Sequence, residues 1–258
     1  METVLKINNL HMNYGEKEVL KGIDLEVHKG EIIGYIGSNG AGKSTTIKII
    51  LGLLTEYTGE IELFGKKVNA NDVDYKRRIG YVPESADLYD NLTANEYLTF
   101  IGGMYGLTEE NARKKAKKLM ELFGIGHVFD EHISSYSKGM RQKVLIISSL
   151  LHNPEILFFD EPINGMDANS VMIFKEIMAQ LAADGKTIFY SSHIMEVVER
   201  ISSRIILLND GQIAADGTFE ELKAKSKEGS LEEIFNTLTG FTTHQEIAQE
   251  FVNVLEEV

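Results

Sequence analysis

The chain has 258 residues, 43% hydrophobic and 25% charged, an ordinary globular balance whose length suits one large domain or two small ones. Its 39 acidic residues against 26 basic ones leave a formal charge of −13, a field that repels phosphate backbones and excludes broad electrostatic binding of nucleic acid. The absence of cysteine removes disulfides, thiolate metal sites and cysteine nucleophiles together.

No stretch approaches the roughly 18 apolar residues of a membrane span, and the start, Met1-Glu2-Thr3-Val4, lacks the basic and apolar regions of a secretory signal. The expectation is a cytoplasmic protein that remains free to dock on a membrane protein.

The opening residues read as β structure. Ile23, Leu25 and Val27 alternate with Asp24, Glu26 and His28, the period of a strand with one buried face. Glu31 to Ile36 is a short apolar run that suits a strand buried on both faces. A glycine-rich turn follows, and Lys43 to Leu54 has helical spacing, with Ile47, Ile50, Leu51 and Leu54 on one side. Gly59 to Val68 returns to alternation.

The middle of the chain is helical. Thr93 and Glu96 have the spacing of a capping box, and Thr108 caps a helix whose acids precede its bases, as the helix dipole favours. The basic cluster Arg113, Lys114, Lys115, Lys117 and Lys118 reads as a solvated face, with an acidic partner as the other reading. A helix over Ser137–Leu151 then leads to the apolar strand Ile156–Phe159. Helix (Ala168–Ala183), strand (Thr187–Ser191), helix (Ile194–Ile201) and strand (Arg204–Leu208) follow. Asn209-Asp210-Gly211 is a hairpin turn, and Thr218 and Ser230 open short capped helices. Alternating strands and helices with a helix-only insertion at about 85–150 give an α/β core carrying a helical subdomain. The tail from His244 to Val258 has Ile247, Phe251, Val254, Leu255 and Val258 near helical spacing, four glutamates and no lysine or arginine. The expectation is a last helix packed on its own domain; a docking or dimer-stabilising helix is the other reading.

Gly37-Ser38-Asn39-Gly40-Ala41-Gly42-Lys43-Ser44 matches G-x-x-x-x-G-K-[ST] between an expected strand and an expected helix. Glycines let backbone N–H groups wrap phosphates, and the helix N-terminus adds partial positive charge. Lys43 can reach the β- and γ-phosphates, the Ser44 hydroxyl can ligate Mg²⁺, and Thr45 completes the nucleotide-binding set. This marks a nucleoside triphosphate site. Asp160 and Glu161 close the apolar strand, the first suited to holding Mg²⁺ and the second to accepting a proton from the attacking water.

Tyr136-Ser137-Lys138-Gly139-Met140 resembles the Leu-Ser-Gly-Gly-Gln signature of the ATP-binding-cassette family, with lysine for the first glycine and methionine for the glutamine. A hydroxyl and a glycine N–H at a helix start still make an anion site, although Ser137 also reads as an ordinary cap. Tyr14 stands where the family places an aromatic on adenine. Gly80 to Glu84 resembles its glutamine loop with Glu84 in the glutamine's place, and Gly165-Met166-Asp167 resembles the loop whose aspartate crosses to a partner subunit. Ser191-Ser192-His193 resembles the strand end carrying the switch histidine.

The resemblance implies a P-loop NTPase core with a mostly parallel sheet, an N-terminal antiparallel β subdomain and an inserted helical subdomain. It implies one ATPase domain over 1–226 with a helical extension over 227–258. Catalytic roles fall to Glu161, His193 and Lys43, and metal ligation to Ser44, Asp160 and Glu84. ATP and Mg²⁺ are the implied cofactors. The implied partners are a second ATPase subunit, bound head to tail so that Ser137 to Met140 meet the other copy's nucleotide, and a separate membrane permease, in an export-type system. A soluble single-cassette ATPase with an assembly or regulatory role stays open beside it. Lys138 either strengthens closure on the facing triphosphate or points to solvent.

Overall fold

The computed structural model describes residues 2–68, 73–85, 88–226, 228–240 and 244–256. The chain opens on two long strands, β1 (Thr3–Tyr14) and β2 (Lys17–His28), paired antiparallel. Ile23, Leu25 and Val27 face inward and their charged neighbours outward, as the alternation requires. β3 (Ile32–Gly37) follows, buried on both faces up to its last residue, and leads through the glycine-rich loop into α1 (Lys43–Ile50). That helix stops short of the expected Leu54. Leu51 is its C-cap and Gly52 turns left-handed at φ +64, while Leu54 packs against the same apolar cluster from outside the helix. Apolar spacing therefore outlasts the helix that it suggests.

The run expected over Gly59–Val68 is two strands, β4 (Tyr57–Leu63) and β5 (Lys66–Lys67), joined at Phe64-Gly65. Both turn residues have positive φ, as a two-residue hairpin demands. The first sheet runs β2-β1-β4-β5 and is antiparallel throughout.

The second sheet is built from β3, β6 (Ile79–Val82), β7 (Ile156–Asp160), β8 (Thr187–Ser191), β9 (Arg204–Asn209) and β10 (Gln212–Gly217). Its order is β10-β9-β3-β8-β7-β6, parallel except for β10. Successive residues of its strands enter two different cores. Ile33, Tyr35, Phe158, Phe189 and Ile206 pack towards the first sheet and α1. Ile36, Leu157, Phe159, Tyr190 and Leu207 pack towards the helices on the other side.

Those helices are α2 (Ala94–Met104), α3 (Glu109–Leu122), α4 (Lys138–Leu150), α5 (Ala168–Ala183), α6 (Met195–Ile201), α7 (Phe219–Ser226) and α8 (Leu231–Thr239), followed by α9 (His244–Glu256). The Thr93 box closes as expected: Thr93 N–H donates to Glu96 Oε2 at 2.8 Å, and Glu96 N–H donates to Thr93 Oγ1 at 3.1 Å. The expected extension divides into two unlike parts. α8 buries Leu231 and Ile234 in the helix-side core, and Leu231 N–H donates to Glu199 Oε2 at 3.2 Å. α9 corrects the expectation of a packed last helix, because Ile247, Phe251, Val254 and Leu255 are 54, 67, 60 and 65% exposed. Its stripe is apolar because the sequence is amphipathic, yet among the described residues no element covers it; Val258 lies outside the described residues. No helix among the described residues is long and apolar enough to cross a membrane.

Candidate nucleotide site

Parallel register places one end of several strands side by side. Gly37 of β3 lies opposite Leu208 of β9, Asp160 of β7 opposite Ser191 of β8, and Val82 of β6 opposite Phe159. The residues that follow these strand ends therefore converge at the carboxyl edge of the sheet, where open α/β folds bind ligands.

The loop after β3 needs glycine for a steric reason at Gly42. Its φ is +108, and a Cβ there would stand 2.4 Å from Leu20 Cδ2 and 3.2 Å from the Val19 carbonyl oxygen. Gly42 is also the N-cap of α1 and carries no side-chain cap, so the helix's first N–H groups face the cleft as anion donors. Lys43 Nζ donates to the carbonyls of Gly37 at 2.6 Å and Ser38 at 3.2 Å, which curls the lysine over the loop. Burial pushes its pKa down, opposed by the charges of Asp160, Glu161 and Glu84.

Asp160 is buried and held from two sides. Ser44 Oγ donates to its Oδ2 at 2.9 Å, and Ser191 Oγ donates to its Oδ1. The Ser44 hydroxyl and Asp160 carboxylate are hard oxygen donors of the kind Mg²⁺ takes. Glu161 sits at φ +49, a left-handed conformation unusual for a residue with a side chain. Its N–H donates to the Ser191 carbonyl at 3.1 Å, so the chain turns out of β7 at this residue. Glu161 Oε2 then meets His193 Nδ1 at 3.0 Å and the Ser192 hydroxyl at 3.4 Å.

The structure brings Tyr14, Gly37, Asn39 to Thr45, Glu84, Asp160, Glu161 and His193 around one cleft of about 750 Å³. Ser38 does not line it, and its carbonyl accepts from Lys43. Lys17 and Val19 of β2 also line the cleft, and sequence reasoning missed them; the β1–β2 turn that carries Tyr14 was the available signal. The hydroxyls of Ser191 and Ser192 were legible as neighbours of His193 but not as the groups that hold the two carboxylates.

Ser137, Lys138, Gly139, Met140 and Asp167 do not line this cleft. Ser137 caps α4, accepting from Met140 N–H at 3.3 Å. Gly139 packs so closely on the following loop that a Cβ would stand 2.6 Å from the Gly165 carbonyl oxygen, and the Lys138 stem lies against Gly165. Asp167 caps α5, accepting from Ser170 N–H at 3.0 Å and from the Ser170 hydroxyl at 2.5 Å, with Lys143 Nζ at 3.6 Å. The Ser170 hydroxyl foremost, then its N–H, pull the Asp167 pKa down to about 2. Its side chain nevertheless remains 62% exposed.

Residues 20–164 match the ABC transporter family. The chain is 40% identical over 219 residues to the linearmycin resistance ATP-binding protein LnrL of Bacillus subtilis, covering 85% of this chain and 70% of that one. A solved ATP-binding subunit of an ABC transporter superposes with a TM-score of 0.85 at 33% identity, over 92% of this chain and 99% of the other. A dimeric ATP-binding cassette in a post-hydrolysis state, bound to ADP and Pi, superposes with a TM-score of 0.76 at 28% identity, over 83% and 98%. With the phosphate loop, the paired carboxylates and the histidine gathered at one sheet edge, the chain belongs to the ATP-binding subunits of ABC transporters.

Proposed function

We propose that the chain hydrolyses ATP with Mg²⁺ in a cleft completed by a second subunit, and that the resulting opening and closing drives a separate membrane permease. The observation that carries this reading is the convergence of Lys43, the Ser44–Asp160 contact and the Glu161–His193 pair on one cleft. Tyr14 stacks on the base, and the loop from Gly37 to Thr45 wraps the phosphates. Ser44, Asp160 and Glu84 are the oxygen donors for Mg²⁺, which when bound neutralises charge on the phosphate oxygens. Glu161 accepts a proton from the water whose oxygen attacks the γ-phosphorus. The bond from that phosphorus to the β,γ-bridging oxygen breaks, and ADP leaves with the bridging oxygen. His193 holds Glu161 and the γ-phosphate in line.

Ser137 to Met140 lie outside their own cleft on a capped helix start, which supports a head-to-tail pair in which they meet the other copy's nucleotide. Asp167, exposed on the loop that packs on Gly139, crosses the same seam in this reading. Closure then depends on γ-phosphate contacts that exist only in the closed state. The cassette proper extends over 1–226, with the helical subdomain at about 85–150 as the arm that moves.

Phe100 and Met104 share a face of α2 by their spacing and are both exposed, with exposed Tyr89 preceding that helix, a surface suited to a permease's cytoplasmic helix. The resistance named for LnrL supports an export-type system at the inner face of the membrane. Purification from detergent-extracted membranes tests this: the chain should copurify with a polytopic protein, and Phe100→Asp with Met104→Asp should lose that partner while keeping ATP binding. A chain that remains soluble with no membrane partner favours the assembly or regulatory role instead.

A further inference from the structure

Two features outside the nucleotide cleft are complementary. The first is α9, whose sequence carries Glu246, Glu250 and Glu256 and no lysine or arginine. Its exposed Ile247, Phe251, Val254 and Leu255 follow i, i+4, i+7, i+8 spacing and form one apolar stripe. The second is a groove of about 480 Å³ between α3 and α5, lined by Leu119 on one side and Ile173, Ile177 and Leu181 on the other. Lys115 and Lys186 stand at the groove, and among the described residues neither forms an ion pair. Burial and the charge of Lys186 both disfavour the ammonium of Lys115, so an anion brought to this place is welcome.

We propose that α9 of one copy lies in this groove of a second copy, its apolar stripe inward and Glu250 towards the lysines. The lengths agree: Ile173 to Leu181 and Ile247 to Leu255 are each nine residues, eight rises of 1.5 Å or about 12 Å of helix. This is the helix-in-groove mode of recognition, with anchors a turn apart. Two α9 helices would instead bring acidic segments together, which disfavours pairing between the tails themselves. In the same copy, the lysine end of the groove lies at the opposite end of the sheet from the end of α8. Leu238 near the end of α8 accepts through its carbonyl from Asn209 Nδ2 at 3.3 Å, at the phosphate-loop end of the sheet. Pro154 and Lys186 precede β7 and β8 at the opposite end. The contact uses no nucleotide, so it tethers two subunits after phosphate release.

The absence of native cysteine makes introduced pairs unambiguous. A chain with Phe251→Cys is mixed, without nucleotide, with a differently tagged chain carrying Ile177→Cys, and oxidised. The expected result is a disulfide-linked pair of the two chains, weakened several-fold by Glu250→Lys and recovered when Lys186→Glu is added to the groove-bearing chain. Absence of any link between chains overturns the proposal, as does a doubly substituted chain that links only within itself. Light scattering gives a second readout. Without nucleotide, Phe251→Asp with Leu255→Asp should lower the mass from two copies to one, and an unchanged mass contradicts the tether. ATP affinity is measured on the same samples and should equal the parent's, which separates failure of the tether from failure of the ATP site.

Discussion

His193 Nδ1 stands 3.0 Å from Glu161 Oε2, and the two differ sharply in exposure, 71% for the histidine side chain and 12% for the carboxylate. A near-buried acid is thus presented to the cleft by an exposed histidine that solvent or a ligand can reorient. If Glu161 accepts the proton of the attacking water, Glu161→Gln should retain ATP binding and lower turnover by roughly 10²–10⁴-fold. His193→Ala, which removes a γ-phosphate contact, should weaken ATP affinity while leaving ADP affinity intact, and cost less turnover than Glu161→Gln. Single-turnover hydrolysis with a parallel binding titration checks both.

Lys43 donates to two carbonyls of its own loop, Gly37 and Ser38, and a triphosphate competes with them for its charge. Hydrogen bonds to charged groups contribute about 1.5–3 kcal/mol, so Lys43→Ala should weaken ATP affinity by roughly 10–100-fold. Calorimetric titration measures it, and ATP should be affected more than ADP because the γ-phosphate is lost.

Gly139 has no room for a methyl group, since the atom in its way is the backbone carbonyl oxygen of Gly165. Gly139→Ala should displace the loop that carries Asp167 without touching the nucleotide cleft. The expected outcome is unchanged ATP affinity of the single subunit with turnover lowered by roughly 10–100-fold, the scale on which misplacement of about 1 Å acts.

Asp167 supplies the pH dependence. Its pKa in the folded chain is about 2, against an ordinary value of 3.8, so the folded state favours the charged form. A depressed acid pKa stabilises the fold fully above the ordinary value, and that contribution is lost as pH falls towards about 2. Asp167→Asn keeps an N-cap acceptor and removes the charge. The gap between the two chains' unfolding midpoints should therefore be constant above about pH 5 and narrow as pH falls through 4 to 3.

The periodicities revealed most of the strands because each obeys a local rule. Ile23, Leu25 and Val27 alternate, and Ile32 to Ile36 are apolar on both faces because two cores claim successive residues. The site was legible where a motif fixes chemistry at fixed spacing, as at Gly37 to Ser44. It was not legible where contacts join distant segments. Nothing local says that Ser191 bonds Asp160 or that Lys17 lines the cleft, since sheet register decides both. α1 ends before Leu54 because Gly52 turns the chain, while Leu54 still packs against the core. α9 inverts the usual inference: its amphipathic pattern predicts a covered face, and the cover is not within the described part of the chain.

The central claim is that two copies share each nucleotide. Mixing a Ser137→Arg chain with a Lys43→Ala chain tests it most directly, because only a mixed pair contains one site with both an intact phosphate loop and an intact facing helix. Each variant alone should be inactive, and the mixture should recover ATP turnover. A mixture that forms mixed pairs, verified by tag capture, and still hydrolyses no ATP contradicts the shared site.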